Sequence, residues 1–290
     1  MVINIALAGI PVSFNFTKNS QFLKEHFYKR YKNFLIKHNR DKIKIFICVR
    51  KDKEFLKDWK LYKPKTFLRS YVIKFKIIED EKFLKLINYD RHCPLFFLIL
   101  HKYDNRGLAC YWYKPTQRYF DTLIDYFLLR NLLYRLCDGL LIHGCGLSFK
   151  EKGLLFMGDS GVGKTTLSKF FNMKDVLCDD KIFIKKIRNR YYMYSYLWHS
   201  NNSNKHQGIK RIPLSKIFFI RHGKENIIKK LNQAEALKMF LGNLCFFPIF
   251  NNSVGNYELV IKILKTVKCY NLEFVPTKAI KSKLNEIIND

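Results

Sequence analysis

Between residues 153 and 171 the chain reads GLLFMGDSGVGKTTLSKFF, with glycines at 158, 161 and 163. An apolar run precedes these glycines, and an amphipathic stretch, KTTLSKFFNM, follows them. Glycine turns the backbone through positive φ at little cost. The segment therefore predicts a buried strand, a tight loop and a helix in immediate succession. A strand that feeds a helix in this way belongs to α/β architecture, in which helices cover a sheet.

The loop also carries chemistry. Gly158, Gly163, Lys164 and Thr165 satisfy the spacing G-x-x-x-x-G-K-[ST]. In such a loop, inward-facing N–H groups cradle phosphate oxygens, the lysine reaches the β and γ phosphates, and the hydroxyl is offered to Mg2+. The start of the following helix adds partial positive charge. Gly158, Asp159, Ser160, Gly161, Val162, Gly163, Lys164, Thr165 and Thr166 thus form the candidate binding segment for a nucleoside triphosphate such as ATP, with Mg2+ as cofactor. A purely structural glycine turn is the alternative. No N-K-x-D guanine reader is present, since NMKD at 172–175 has the wrong order.

The run VLCDD places Asp179 and Asp180 only 15 and 16 residues after Lys164. One short helix and one strand would return both carboxylates to the loop. Two acids beside a triphosphate can divide the work: one holds Mg2+, directly or through water, and the other accepts the proton of an attacking hydroxyl. A solvated turn carrying two acids is the plainer account.

Away from the loop the chain divides in two. Residues 1–115 read as a β-rich α+β domain, with strand-length runs VINIALAGI, KIKIFICV, SYVIKFKII, LFFLILHKY and LACYWY and a turn at DNRG. One helix fits QFLKEHFYKRYKNFLIKH, with Phe22, Leu23, Phe27, Tyr31, Phe34 and Leu35 apolar. Residues 116–139, opened by Thr116 and closed by Gly139, read as a connecting helix. Residues 140–290 alternate strands and helices, beginning with LLIHGCGLSF and continuing through DVLCDD, KIFIKKI, YYMYSY, KIFFIRH and YNLEFVP. Helices are expected from Gln233, near 255–267 and at the end of the sequence.

Bulk properties exclude several classes. The longest strictly apolar run, PLFFLIL, is far short of the roughly twenty residues of a membrane span. The apolar start MVINIALAGIPVSF lacks basic residues ahead of it and reads as a buried strand rather than a signal peptide. Eight cysteines are scattered with no CxxC pair, so zinc knuckles and small disulfide scaffolds are excluded and a cytoplasmic location with reduced thiols is the simplest reading. The formal net charge is +29. Either its lysines are simply solvated, or they serve an anionic partner such as an acidic protein, a lipid surface or nucleic acid.

With the loop, the double Asp and His143-Gly144 upstream in place, residues 140–280 resemble the catalytic domain of HPr kinase/phosphorylase and the wider group of HPr-kinase-like serine kinases. The pattern is a His-Gly, fifteen residues to the first loop glycine, G-D-S-G-x-G-K-[ST], then a hydrophobic strand ending in Asp-Asp. This chain supplies His143-Gly144, Gly158 fifteen residues after His143, the complete loop and Asp179-Asp180. Downstream, YSYLWHS, with Trp198 and His199, and RIPLSKIFFIRHGKENIIKKLNQAEAL look like later segments of the same group. The resemblance implies a P-loop kinase domain of the HPr kinase/phosphoenolpyruvate-carboxykinase-like type. By position, Asp180 becomes the base, Lys164 and Thr165 act on phosphates and metal, His143 supports the site, and Asp179 stands with Thr165 as a metal-side residue.

The implied activity is ATP-dependent phosphorylation of a serine hydroxyl on a protein, a peptide or a small hydroxyl-bearing acceptor. A nucleotide-gated binding module with a basic surface is the alternative, and phosphoenolpyruvate-carboxykinase-like decarboxylation would ask for further metal ligands. The pattern departs in one respect: residues 181–224 contain no Asp or Glu. The later metal-side glutamate of the bifunctional enzymes is therefore without a counterpart there, which favours a one-way kinase. The same span carries eleven Lys or Arg residues. They form either a platform for an acidic acceptor or a solvated surface. Nucleic acid is compatible but not favoured, because no nucleic-acid motif is recognisable, and an oligomer is compatible with the resemblance.

Overall fold

The structure, a computed structural model, describes residues 2–7, 9–20, 22–37, 43–49, 66–69, 74–79, 83–90, 93–101, 106–111, 139–195, 211–244 and 253–288. The chain divides into two compact units, Met1–Leu132 and Leu133–Asp290. Both are mixed α/β, and each is dominated by one large mixed sheet. The connecting helix expected over 116–139 lies outside the described residues, apart from Gly139, which opens a strand.

The first unit begins with a hairpin of β1 (Val2–Leu7) and β2 (Ile10–Phe16), turning at Gly9 with φ +74. The sequence suggested one continuous strand here; Gly9 divides it. Helix α1 (Phe22–Tyr31) follows. Its Leu23, Phe27 and Tyr31 recur every four residues and are buried. Phe27 packs its ring 4.3 Å from Phe14 and 4.1 Å from Tyr31. Strands β3 (Ile43–Val49), β4 (Thr66–Arg69), β5 (Lys74–Glu79), β6 (Phe83–Asp90), β7 (Cys93–His101) and β8 (Arg106–Tyr111) complete a sheet in the order β1-β2-β3-β8-β7-β6-β5-β4. β2, β3 and β8 run parallel, and the other pairs are antiparallel.

The second unit is built on two long strands, β9 (Gly139–Phe149) and β14 (Arg211–His222). Between them come β10 (Lys152–Met157), helix α2 (Lys164–Ser168), β11 (Val176–Cys178), β12 (Lys181–Ile187) and β13 (Arg190–Tyr194). After β14 follow β15 (Ile227–Lys230), α3 (Gln233–Leu241), α4 (Ser253–Thr266), β16 (Lys268–Phe274) and α5 (Ile280–Ile288). The sheet order is β10-β9-β12-β13-β14-β16-β15, and β10 also pairs with β14, so five strands close a circuit. β10, β14 and β16 are parallel neighbours, with β9 antiparallel on the far side of β10.

Alternation along β10 explains its apolar run. Leu155 and Met157 face a core shared with Ala236 and Phe240 of α3 and with Val260, Ile263 and Leu264 of α4. Leu154 and Phe156 face a second core with Leu167 of α2 and Ile280, Leu284 and Ile288 of α5. A strand covered on both faces needs apolar residues at every position, not every second one. The phosphate-loop motif thus leaves the end of a fully buried central strand. No helix among the described residues is long and apolar enough to cross a membrane.

Candidate functional site

The glycine-rich loop runs from the end of β10 into α2. Gly158 has φ +152, and a Cβ there would lie 2.6 Å from the carbonyl oxygen of Ile220 in β14. Its N–H donates to Oδ1 of Asn243 at 2.9 Å. That amide is therefore committed within the protein, and the loop amides that could face an anion begin after it. Asp159, Ser160 and Gly161 are exposed, Val162, Gly163 and Thr165 half-buried, and Thr166 exposed. Gly161 (φ +90) and Gly163 (φ +100) hold the left-handed turns, and Gly163 caps α2.

Lys164 is the buried member of the loop, at 6% exposure. Its Nζ donates to the carbonyls of Gly158 (2.6 Å) and Asp159 (2.8 Å), so the side chain folds back across its own loop. Burial lowers its pKa from the ordinary lysine value, while the charges of Asp180, Cys145 and Asp159 oppose that shift. A partly desolvated ammonium held by carbonyl oxygens exerts its charge in a low-dielectric setting, where it acts more strongly on a phosphate than in water.

α2 is shorter than the sequence suggested. KTTLSKFFNM reads as a helix through Met173, yet the regular helix ends at Ser168. Ser168 Oγ donates to the carbonyl of Thr165 at 2.9 Å, and the amides of Lys169, Phe170 and Phe171 bond three residues back, which tightens the turn. The regular helix is thus a little over one turn long.

The acidic doublet does return to the loop's end of the sheet. β11 and β12 run one after the other along a single edge of β9, with Cys178 opposite Gly146 and Lys181 opposite His143. Between them, the Gly144 N–H donates to the Asp180 carbonyl at 2.9 Å. On its other edge Gly144 pairs with Met157, the last residue of β10. Asp180 and the start of the loop are therefore two strand spacings apart, about 10 Å between backbones.

The Asp180 carboxylate is held from both sides. His143 Nε2 lies 3.4 Å from Oδ1, and Lys181 Nζ donates to Oδ2 at 2.6 Å. Burial alone would raise its pKa; the His143 hydrogen bond and the charge and hydrogen bond of Lys181 outweigh it and hold the group at about 2. Asp179 is buried at 8% exposure; burial pushes the nearby Cys145 thiol well up, and the Asp179 charge adds to that shift.

Among the described residues, no cluster of three or more His, Cys, Asp or Glu side chains could cage a metal. A magnesium ion generally keeps several waters and binds through substrate phosphates with one or two protein oxygens, so it does not require such a cage. Thr165 lies half-buried in the first turn of α2, and the buried Asp179 directly follows β11.

The described cations of the basic span lie in different surroundings. Lys181 is paired with Asp180, Lys216 is buried and lies 5.6 Å from the Tyr270 ring centre, and Arg221 pairs with Glu273. Arg211 stacks over Tyr192. Lys186, Arg188 and Arg190 are exposed together on the β12–β13 hairpin. Lys205, Lys210, Trp198 and His199 lie outside the described residues. A cleft of about 400 Å3 bounded by Lys152, Arg190, Tyr191, Leu214 and Val267 opens where β10 begins, away from the loop at its end.

Sequence reasoning counted Lys181 only among the eleven cations of the basic span and passed over Asn243. The pairing of Lys181 with Asp180 could have been noticed, since it directly follows the doublet. Asn243, in LGNL after α3, reads only as a helix end; its reach to Gly158, 85 positions away, is a tertiary contact.

No protein-family model matches the chain, and no curated protein matches it. Among solved structures, the HPr(Ser) kinase/phosphatase from Coxiella burnetii aligns at 12% identity, covering 51% of this chain and 98% of that one, with a TM-score of 0.29.

Proposed function

We propose that the second unit is an ATP-dependent phosphotransferase that moves the γ-phosphate to a hydroxyl acceptor, a serine of a protein or peptide or a small hydroxyl-bearing molecule. The observation that carries this reading is the pairing of a glycine-turned loop around a buried Lys164 with a doubly held Asp180 at the same sheet end, with β9 between them. The residue pattern from His143 to Asp180 supports the same reading.

In this reading the amides after Gly158 and the Lys164 ammonium bind the β and γ phosphates, with Thr165 and Asp179 on the metal side. Magnesium, when bound, neutralises phosphate charge. Asp180 orients the acceptor hydroxyl and takes its proton. A carboxylate with a pKa of about 2 is a weak base, which suits a loose transition state in which the proton leaves late. His143 and Lys181 fix the orientation of the carboxylate.

The test is Asp180→Asn with labelled ATP and cell lysate as acceptor source. Retained MgATP binding with transfer reduced by roughly 10²–10⁴-fold is expected for a lost base. Normal binding with undiminished transfer would remove Asp180 from the reaction. The second reading, a nucleotide-gated binding module, draws on the exposed Lys186, Arg188 and Arg190 of one hairpin. It would show as salt-sensitive binding to an anionic partner with no labelled acceptor.

A further inference from the structure

We infer that Asn243 is a positioning residue of this site, occupying the place in the sheet that β10 leaves when it turns into the phosphate loop, and so tying the loop's first glycine to the strand that carries His143. The inference rests on the triphosphate reading above for its functional consequence, though not for its geometry.

The last rung between β9 and β10 is Gly144 opposite Met157. One residue further, β10 has become loop, and two backbone donors lose their ladder partners. The Gly144 amide points to the Asp180 edge, so strand alternation aims the His143 amide at the edge β10 has left. It donates there to the Asn243 carbonyl at 3.0 Å, and Ile142 bridges Leu244 antiparallel. The second donor, the Gly158 N–H, is taken by the Asn243 side chain through Oδ1 at 2.9 Å. A single residue thus satisfies both donors, which burial would otherwise make costly.

The rest of Asn243 anchors it. Nδ2 donates to the Met239 carbonyl at 3.0 Å, the backbone N–H donates to the Phe240 carbonyl at 3.0 Å, and the residue is 9% exposed. An ordinary helix-end asparagine would need only the contacts back to its own helix. The Oδ1 bond to the loop goes beyond that. Asparagine offers an acceptor and a donor on one neutral group; aspartate would bring negative charge beside a loop built for phosphate.

The experiment compares Asn243→Ala, Asn243→Asp and Phe240→Leu, a core control at the end of the preceding helix α3. Amide exchange at Gly158, MgATP dissociation constants, and KM and kcat for transfer are measured at matched loss of melting temperature. Asn243→Ala should speed Gly158 exchange at least tenfold and weaken MgATP binding about tenfold, raising KM more than it lowers kcat. Asn243→Asp should restore Gly158 protection without restoring MgATP affinity, and Phe240→Leu should change neither. If Asn243→Ala behaves as Phe240→Leu does, Asn243 merely stabilises the helix end and the inference is overturned. If the unaltered protein fails to bind MgATP while Gly158 exchange still answers to Asn243→Ala, the latch stands and the triphosphate reading falls.

Discussion

At the scale of residues, the site depends on a few positions whose backbone or charge state cannot be exchanged. Gly158 and Gly161 both sit at positive φ but differ in surroundings: a Cβ at the first would meet a carbonyl oxygen at 2.6 Å, and one at the second would meet nothing within 4 Å. Gly161→Ala should therefore cost only the left-handed conformation, about 1 kcal/mol, whereas Gly158→Ala should add steric displacement of β14, for a total of roughly 3 kcal/mol. Chemical denaturation of the two variants separates these terms, and equal losses would contradict the geometry. Asp180 gives a second prediction. Its pKa falls from 3.8 to about 2 on folding, so it contributes stability above its unfolded value, and that contribution is lost as pH drops through about 2. The contribution is on the order of 2 kcal/mol. Asp180→Asn should flatten the acid limb of the stability curve between pH 4 and 2. In the active protein, no fall in rate from Asp180 protonation should appear between pH 5 and 8.

At the scale of elements, short pieces do the positioning. α2 has only five residues, yet it needs no more, because the buried β10 fixes its start and Leu167 pins it to the core. α3 is the better-formed helix, opened by a reciprocal capping box in which Asn232 accepts from the Glu235 amide and Glu235 accepts from the Asn232 amide. Asn232→Ala should lower stability by about 1 kcal/mol, read from urea unfolding. It should leave MgATP binding intact, since the cap is at the opposite end of the helix from Asn243. The β11–β12 run shows how an acidic doublet can sit within a nearly continuous edge: a register shift between Val176 and Cys178 precedes it, and the ladder resumes at Lys181.

At the scale of the whole molecule, charge is the dominant property. A net charge of +29 imposes self-repulsion on the folded chain. Raising sodium chloride from about 20 to about 150 mM shortens the screening length to about 8 Å. The melting temperature should rise by several degrees; a fall would mean that ion pairs outweigh repulsion. Among the described cations of the second unit, Lys181 is held by Asp180 and Arg221 by Glu273, while Lys186, Arg188 and Arg190 are exposed.

The loop, the two-faced apolar strand before it and the doublet after it were legible because each depends on short-range rules: positive φ wants glycine, a strand covered on both sides is apolar throughout, and a short helix returns the chain to its sheet. The helices of the second unit were legible from apolar spacing. What the sequence alone could not decide was which strands become neighbours. That β9 stands between the loop and Asp180, that Lys181 and His143 hold one carboxylate from two sides, and that Asn243 fills the place β10 leaves are all consequences of pairing across tens of residues. Pairing of that kind is selected by packing on both faces of the sheet, a property no local window of sequence contains.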